Sequence, residues 1–363
     1  MEFMVICTNF LKIIQVAEIN MSNMDQKSSK LPLKRGVPQG SVLGPLLFLI
    51  FINDIINISD IAKFVLFADD SNIFISHTDR YIVYKIANQI LNQLYYYCSA
   101  NEIVISYDKC CFIEFKKREG EKELPLYILD QPLKPEVKCK FLGIYINSNL
   151  DWSDQLINAR KLASQSIGAL NSIKFCVPQK ILRTVYFSLV QPYFIYYMPL
   201  WAARHSSKDF DALFKLQKKA IRIITNCTTK VDGKFQHTKP LFQKAHIMTL
   251  HNLYFYFVAC EAKKIICSKN PTSLFKLFAV SEKTKGLILP KFKKEMIKSC
   301  SFVFNSSKIL NYFKSKKINY YGMPLESFKT AIRRFLMTKQ SISVNNDPNW
   351  LPLNTSIFTD VVT

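Results

Sequence analysis

Apolar positions follow two different periods in this chain, and the changeover falls near residue 150. Before it, short runs of β-branched and aromatic residues alternate with turn residues. After it, apolar residues recur every three or four positions. In KFVLFADDSNIFIS (Lys63–Ser76) apolar runs flank Ala68-Asp69-Asp70-Ser71, which predicts a hairpin with two carboxylates at its tip. NEIVISYDKCCFIEF (from Asn101) predicts further strands, and Lys117–Glu123 an exposed turn. KCKFLGIYI (Lys138–Ile146) reads as a strand pair with a glycine in the middle, and Gln15–Asn20 alternates like a strand. Gly36, Pro38, Gly40, Gly44 and Pro45 punctuate a loop that opens a long apolar segment. Pro45 suits the first turn of a helix, where its missing N–H is not needed. A loop followed by a buried helix to about Ile56 is expected there, and a second helix over residues 81–100.

From Asp151 onward the period is helical: Leu156, Ala159, Ala163, Ile167, Leu170 and Ile173 share one stripe. Pro178 opens a further helical segment reaching about Gln191. The most regular helix lies in DFDALFKLQKKAIRIIT, from Asp209. At 100° per residue Lys215, Lys218, Lys219 and Arg222 fall on one side, with Leu213, Leu216, Ala220 and Ile223 on the other. A cationic stripe of this kind suits phosphates, and equally a solvated face over a core. The pattern predicts an α+β protein in three parts: residues 1–150 of mixed strands and helices, helices over 151–255, and a basic, mainly helical region over 256–363.

Length and composition agree with a globular chain: 363 residues, 49% of them hydrophobic. Charge changes the picture more. The formal net charge is +22, and residues 201–363 carry 28 basic against 9 acidic side chains. Such asymmetry points to a polyanionic partner, nucleic acid ahead of an anionic membrane surface. Ten cysteines show no C-x2-C pair; Cys110 and Cys111 are adjacent, and Cys260 and Cys267 seven apart. They read as reduced thiols of an intracellular protein rather than a zinc site. His246 and His251 are five apart and do not share a helix face. The apolar blocks LLFLIFI (Leu46–Ile52) and LYFYFVAC (from Leu253) are too short to span a bilayer, so no membrane partner is expected.

The chemistry rests on Asp69 and Asp70. Two carboxylates at a hairpin tip offer hard oxygen ligands for Mg2+. Two such ions roughly 4 Å apart could activate a hydroxyl and neutralise a leaving pyrophosphate. Alone, an Asp-Asp pair is commonly a surface turn; its surroundings decide. RGVPQGSVLGPLLFLIFINDI, then FADD, then FLGI stand in the order and spacing of non-LTR retrotransposon reverse transcriptases, and the chain resembles that family, jockey-type members above all. Looser likeness continues through YFSLVQPYFIYYMPLW and LQKKAIRIIT, to cover roughly residues 10–255. Intron maturases share the glycine loop without this FLGI context, and retroviral enzymes usually carry methionine or valine before the aspartates.

The resemblance implies a partial polymerase palm, an antiparallel sheet with helices, followed by a helical thumb. Asp69 would be a metal ligand and Asp70 its neighbour in support. Gly36, Pro38, Gln39, Gly40 and Ser41 would contact template and incoming deoxynucleoside triphosphate. Lys109 would lie near the phosphates and protonate pyrophosphate, although Ser106 and Cys110 depart from the usual context. Phe141, Leu142 and Gly143 would grip the primer end, and Lys215, Lys218, Lys219 and Arg222 would track the duplex backbone. RNA template and DNA primer are the implied partners, and Mg2+ the implied cofactor. One element is missing: the family has a further aspartate on a separate upstream strand, and only Glu2, Glu18 and Asp25 precede Arg35. The palm is therefore expected to be incomplete, with sheet edges exposed and no polymerase activity from this chain alone. Three readings follow: a reverse transcriptase in part, a non-catalytic nucleic-acid-binding remnant, or a degenerate product.

Overall fold

The computed structural model describes residues 2–9, 40–115, 122, 124–202, 207–227, 230–231, 234–235, 237–268, 274–281, 286–291 and 301–339. Contacts divide the chain into two units, Met1–Leu150 and Asp151–Thr363. The fold is α+β.

The first unit is built on a five-stranded sheet. Its strands are β1 (Glu2–Asn9), β2 (Lys63–Phe67), β3 (Asp70–His77), β4 (Cys110–Phe115) and the short β7 (Lys134–Pro135), in the order β2-β3-β1-β4-β7. All neighbours are antiparallel except β4 and β7. The two-stranded hairpins β5–β6 (Tyr127–Ile128, Gln131–Pro132) and β8–β9 (Lys138–Phe141, Ile144–Asn147) complete the strands. Alternation along β4 explains the layering. Cys110 and Phe112 face one way, into a core with Ile73, Ile75 and the helix α2 (Arg80–Ala100). Ile113 and Phe115 face the other way, against Phe74, Cys139 and Ile146, so β8–β9 covers the opposite face.

A buried ion pair ties α2 to this sheet. Arg80 holds Glu114 with both Nε and Nη2, and Tyr84 donates its hydroxyl to the same carboxylate at 2.9 Å. That pairing relieves a carboxylate placed on the apolar face of a strand. Burial together with the Glu114 carboxylate pushes the Tyr84 phenol well above its ordinary value. Asp79 caps α2 by accepting from the Tyr81 N–H at 2.8 Å.

The apolar segment after the glycine loop departs from expectation. α1 (Gly44–Ile52) forms with proline in its first turn and passes into a 3-10 turn over Asn53–Ile58. Of its own residues only Gly44 and Ile52 are buried; Leu46, Leu47, Leu49, Ile50 and Phe51 are exposed. The helix is apolar on every side, so packing one side through Phe48 and Ile52 leaves the rest uncovered. Of the acidic hairpin, β3 is an interior strand flanked by β2 and β1, while β2 ends the sheet among the described strands. Gln15–Asn20 and most of Lys117–Glu123 lie outside the described residues.

The second unit is helical: α3 (Ser153–Ser172), α4 (Gln179–Val185), α5 (Gln191–Ile195), α6 (Met198–Trp201), α7 (Ser207–Ile224), α8 (Thr238–Lys244), α9 (Leu250–Ile266), α10 (Phe302–Ser315) and α11 (Leu325–Lys339). A π-helical turn over Tyr186–Val190 joins α4 to α5. One core runs from Leu156 to Leu336, with Trp201, Tyr186, Phe194 and Phe328 fully inside. Position 255 falls within α9, and α9 packs on α5, α6, α10 and α11. The break expected at 255/256 is therefore absent, because α9 buries residues on both sides of it.

Polar side chains hold this core in register. Gln217 is fully buried; its amide nitrogen donates to Tyr186 Oη and the Met248 carbonyl, both at 3.0 Å. Its oxygen accepts from the Leu250 N–H at 2.7 Å, so a buried amide meets its hydrogen-bonding needs. Asn252 reaches the Leu336 carbonyl at 3.1 Å. Lys263, 3% exposed, donates to the Tyr320 carbonyl at 2.6 Å and lies over the Phe328 ring at 5.1 Å. Carbonyl and ring together offset the cost of burying an ammonium. No helix among the described residues is long and apolar enough to cross a membrane.

Candidate active site

β2 and β3 run antiparallel with Phe67 opposite Asp70, so their turn consists of Ala68 and Asp69 alone. Ala68 takes φ +50°, as a two-residue hairpin turn demands of one of its central residues. The turn carries Asp69 into solvent, while Asp70 opens β3 and is half-buried. Ser71 and Asn72 then turn inward and are buried. Partial burial raises the Asp70 carboxyl above its ordinary value, the Asp69 charge raises it further, and Lys109 pulls it back.

Sheet register explains how Lys109 comes near. Asn9 pairs with Asp70 across β1–β3, and Thr8 pairs with Cys110 across β1–β4. Lys109 immediately precedes β4, two strand spacings or about 10 Å from Asp70 across the sheet. Lys109 ends a 3-10 turn (Tyr107–Lys109), and its long exposed side chain carries charge back toward the aspartates.

The strand beside the acidic pair supplies Cys7, Thr8 and Asn9 at its near end. Its acid, Glu2, pairs with His77 at the far end. Among the described residues no three His, Cys, Asp or Glu side chains come together as a metal site.

Other residues singled out from the sequence are placed separately. Gly36, Pro38 and Gln39 lie outside the described residues. Gly40 takes φ +78°, and Ser41 Oγ accepts from the Gly44 N–H at 3.0 Å, closing the loop onto the start of α1. Phe141 ends β8; Leu142 and Gly143 form a two-residue turn with φ +46° and +82°. A type I′ hairpin needs positive φ at both central residues, and leucine adopts it against its steric preference. Lys215, Lys218, Lys219 and Arg222 belong to the second unit, on α7. Lys215 and Lys219 are exposed. Lys218 lies over the Phe214 ring at 4.2 Å, and partial burial lowers its pKa, with Arg222 and Lys215 adding to the fall against Asp211.

Two features escaped sequence reasoning. β1 is the central strand, and its signal was the short run FMVIC, too brief to separate strand from helix. The Arg80–Glu114–Tyr84 network joins residues 30 and 34 positions apart, beyond any local pattern.

Comparison with known proteins bears on the same region. Residues 2–146 match the family described as reverse transcriptase (RNA-dependent DNA polymerase). Among curated proteins, the chain is 28% identical over 220 residues to a probable RNA-directed DNA polymerase from transposon BS of Drosophila melanogaster. That alignment covers 56% of this chain and 24% of the relative. The RNA-directed DNA polymerase from mobile element jockey, also of Drosophila melanogaster, is 23% identical over 212 residues, covering 55% of this chain and 23% of the relative. The chain thus spans about a quarter of the length of these relatives. The match to the reverse transcriptase family thus spans residues 2–146, which hold the acidic turn and the FLGI hairpin.

Proposed function

We propose that this chain carries part of the palm and the thumb of an RNA-directed DNA polymerase from a non-LTR mobile element, and that by itself it binds nucleic acid without extending a primer. The observation that carries the proposal is the acidic hairpin turn Asp69–Asp70 with Lys109 near it at the same end of the sheet. Lys109 comes close enough to the acidic turn to pull the Asp70 carboxyl down against its burial, a cation beside the two carboxylates. Reverse transcriptases use divalent metal ions. Asp69 and Asp70 are the residues of this chain that would offer oxygen to such an ion, Mg2+ for preference. Because no third carboxylate joins Asp69 and Asp70 among the described residues, polymerisation is not assigned to this polypeptide alone.

The remaining parts support a binding role. Lys215, Lys218, Lys219 and Arg222 give α7 a cationic stripe suited to a phosphate backbone. RNA template, DNA primer and deoxynucleoside triphosphates are the ligands that a completed site would take, with Gly40 and Ser41 beside the template and Phe141–Gly143 beside the primer end.

Primer extension tests this directly. The purified chain is incubated with a primed RNA template, deoxynucleoside triphosphates and Mg2+ or Mn2+. No elongation is expected with either ion. Template-directed synthesis that disappears in Asp69→Ala would overturn the proposal and restore the chain as a complete enzyme.

A further inference from the structure

The turn between α3 and α4 displays an aromatic ring that the core does not use. Ile173 and Val177 pack against the core at either end of the turn. The Cys176 N–H donates to the Ile173 carbonyl at 2.9 Å, and Ile181 and Leu182 donate to the Pro178 carbonyl at 2.9 and 3.1 Å. The two anchors and these bonds fix the turn and drive residues 174–176 outward. Phe175 is consequently 79% exposed, more than any other described aromatic side chain. Lys174 lies over this ring, its Nζ 4.7 Å from the centroid.

Charge around the turn has one sign. No Asp or Glu occurs between Asp154 and Asp209, whereas Lys161, Lys174 and Lys180 fall in that interval. Lys161 and Lys180 are exposed. A ring with an ammonium on one face keeps its other face open for a flat partner, and the surrounding cations select a polyanion. A nucleic-acid base linked to phosphates meets both conditions, because stacking on an aromatic side chain tolerates any base. An anionic bilayer meets only the second, since one phenylalanine beside lysines makes no apolar patch to insert.

We propose that Phe175 is a stacking platform for a base of single-stranded nucleic acid, with Lys174 and Lys180 on the adjoining phosphates. The inference rests on the nucleic-acid-binding role proposed above and adds a surface separate from the α7 stripe.

The test uses the full chain and a fluorescein-labelled single-stranded RNA of mixed sequence, with affinity read by anisotropy across a salt series. Phe175→Ala is expected to weaken binding at least about fivefold, with the salt dependence unchanged. Phe175→Trp is expected to restore affinity, and its indole fluorescence to be quenched on binding. Lys174→Gln with Lys180→Gln is expected to flatten the logarithmic salt slope by about 1.4. The exposed position of Phe175 leaves folding intact, which circular dichroism checks. Wild-type affinity in Phe175→Ala would overturn this inference and leave the binding role standing. No binding by the wild-type chain would overturn both. Binding to phosphatidylserine vesicles that needs Phe175, with RNA binding indifferent to it, would also overturn the inference.

Discussion

α1 and α9 are both strongly apolar helices, yet one is mostly exposed and the other mostly buried. α9 lies among α5, α6, α10 and α11, and the polar groups it takes inside are matched: Asn252 to a carbonyl, Lys263 to a carbonyl and a ring. α1 meets the core of the first unit through Gly44, Phe48 and Ile52 and leaves five large apolar side chains in solvent. The second unit therefore closes its own core, while the first presents a large apolar surface beside its sheet. The same contrast holds for chemistry. In the second unit the buried amide of Gln217 finds all its partners inside the core, whereas in the first the acidic turn carries Asp69 into solvent.

That comparison can be broken most sharply at Trp201, which is fully buried and donates its indole N–H to the Tyr196 carbonyl at 2.8 Å. Trp201→Ala is expected to cost about 3–5 kcal/mol, enough to unfold the second unit or leave it marginal. Urea denaturation followed by circular dichroism measures this, and a loss under about 1 kcal/mol would deny that the core is closed. A smaller effect is expected in the first unit from Asp70→Asn. Between the ordinary carboxyl value of 3.8 and its raised folded value, the native protein binds more protons than the unfolded chain. Stability therefore falls as pH rises through that window, and the asparagine variant escapes the fall. Its melting temperature should exceed wild type by about 1–3 °C at pH 7, with the advantage vanishing below the window. An advantage that grows on acidification would show that the sign is wrong. The smallest effect is expected at Ile50, 65% exposed on α1. Ile50→Lys should change stability by less than about 0.5 kcal/mol. A loss above about 2 kcal/mol in the same denaturation assay would mean that α1 is covered in solution and the contrast with α9 is void.

Local pattern read much of this molecule correctly. The hairpin around Ala68-Asp69-Asp70-Ser71, the start of α1 at Pro45 and the buried stripe of α3 follow from short-range rules of turn chemistry and period, although pairing narrows the turn to Ala68-Asp69 and draws Asp70 and Ser71 into β3. α7 buries Leu213, Ala220 and Ile223 as its period demands, but the residue at its centre was missed. Gln217 is polar in a core position, and only the approach of Tyr186, Met248 and Leu250 gives it partners. β1 was missed for the same reason: a brief apolar run becomes a central strand only when β3 and β4 arrive on its two sides.

The place of the acidic hairpin, the α+β succession and the cationic bias of the later residues were set by the sequence alone, because turn propensity, period and charge are local properties. Only the tertiary fold settled which strand lies beside Asp70, that Lys109 comes near it, and that Phe175 faces outward while Ile173 and Val177 are anchored. Those outcomes depend on pairings between residues far apart in the chain, where register and packing select one arrangement among many that the local pattern permits.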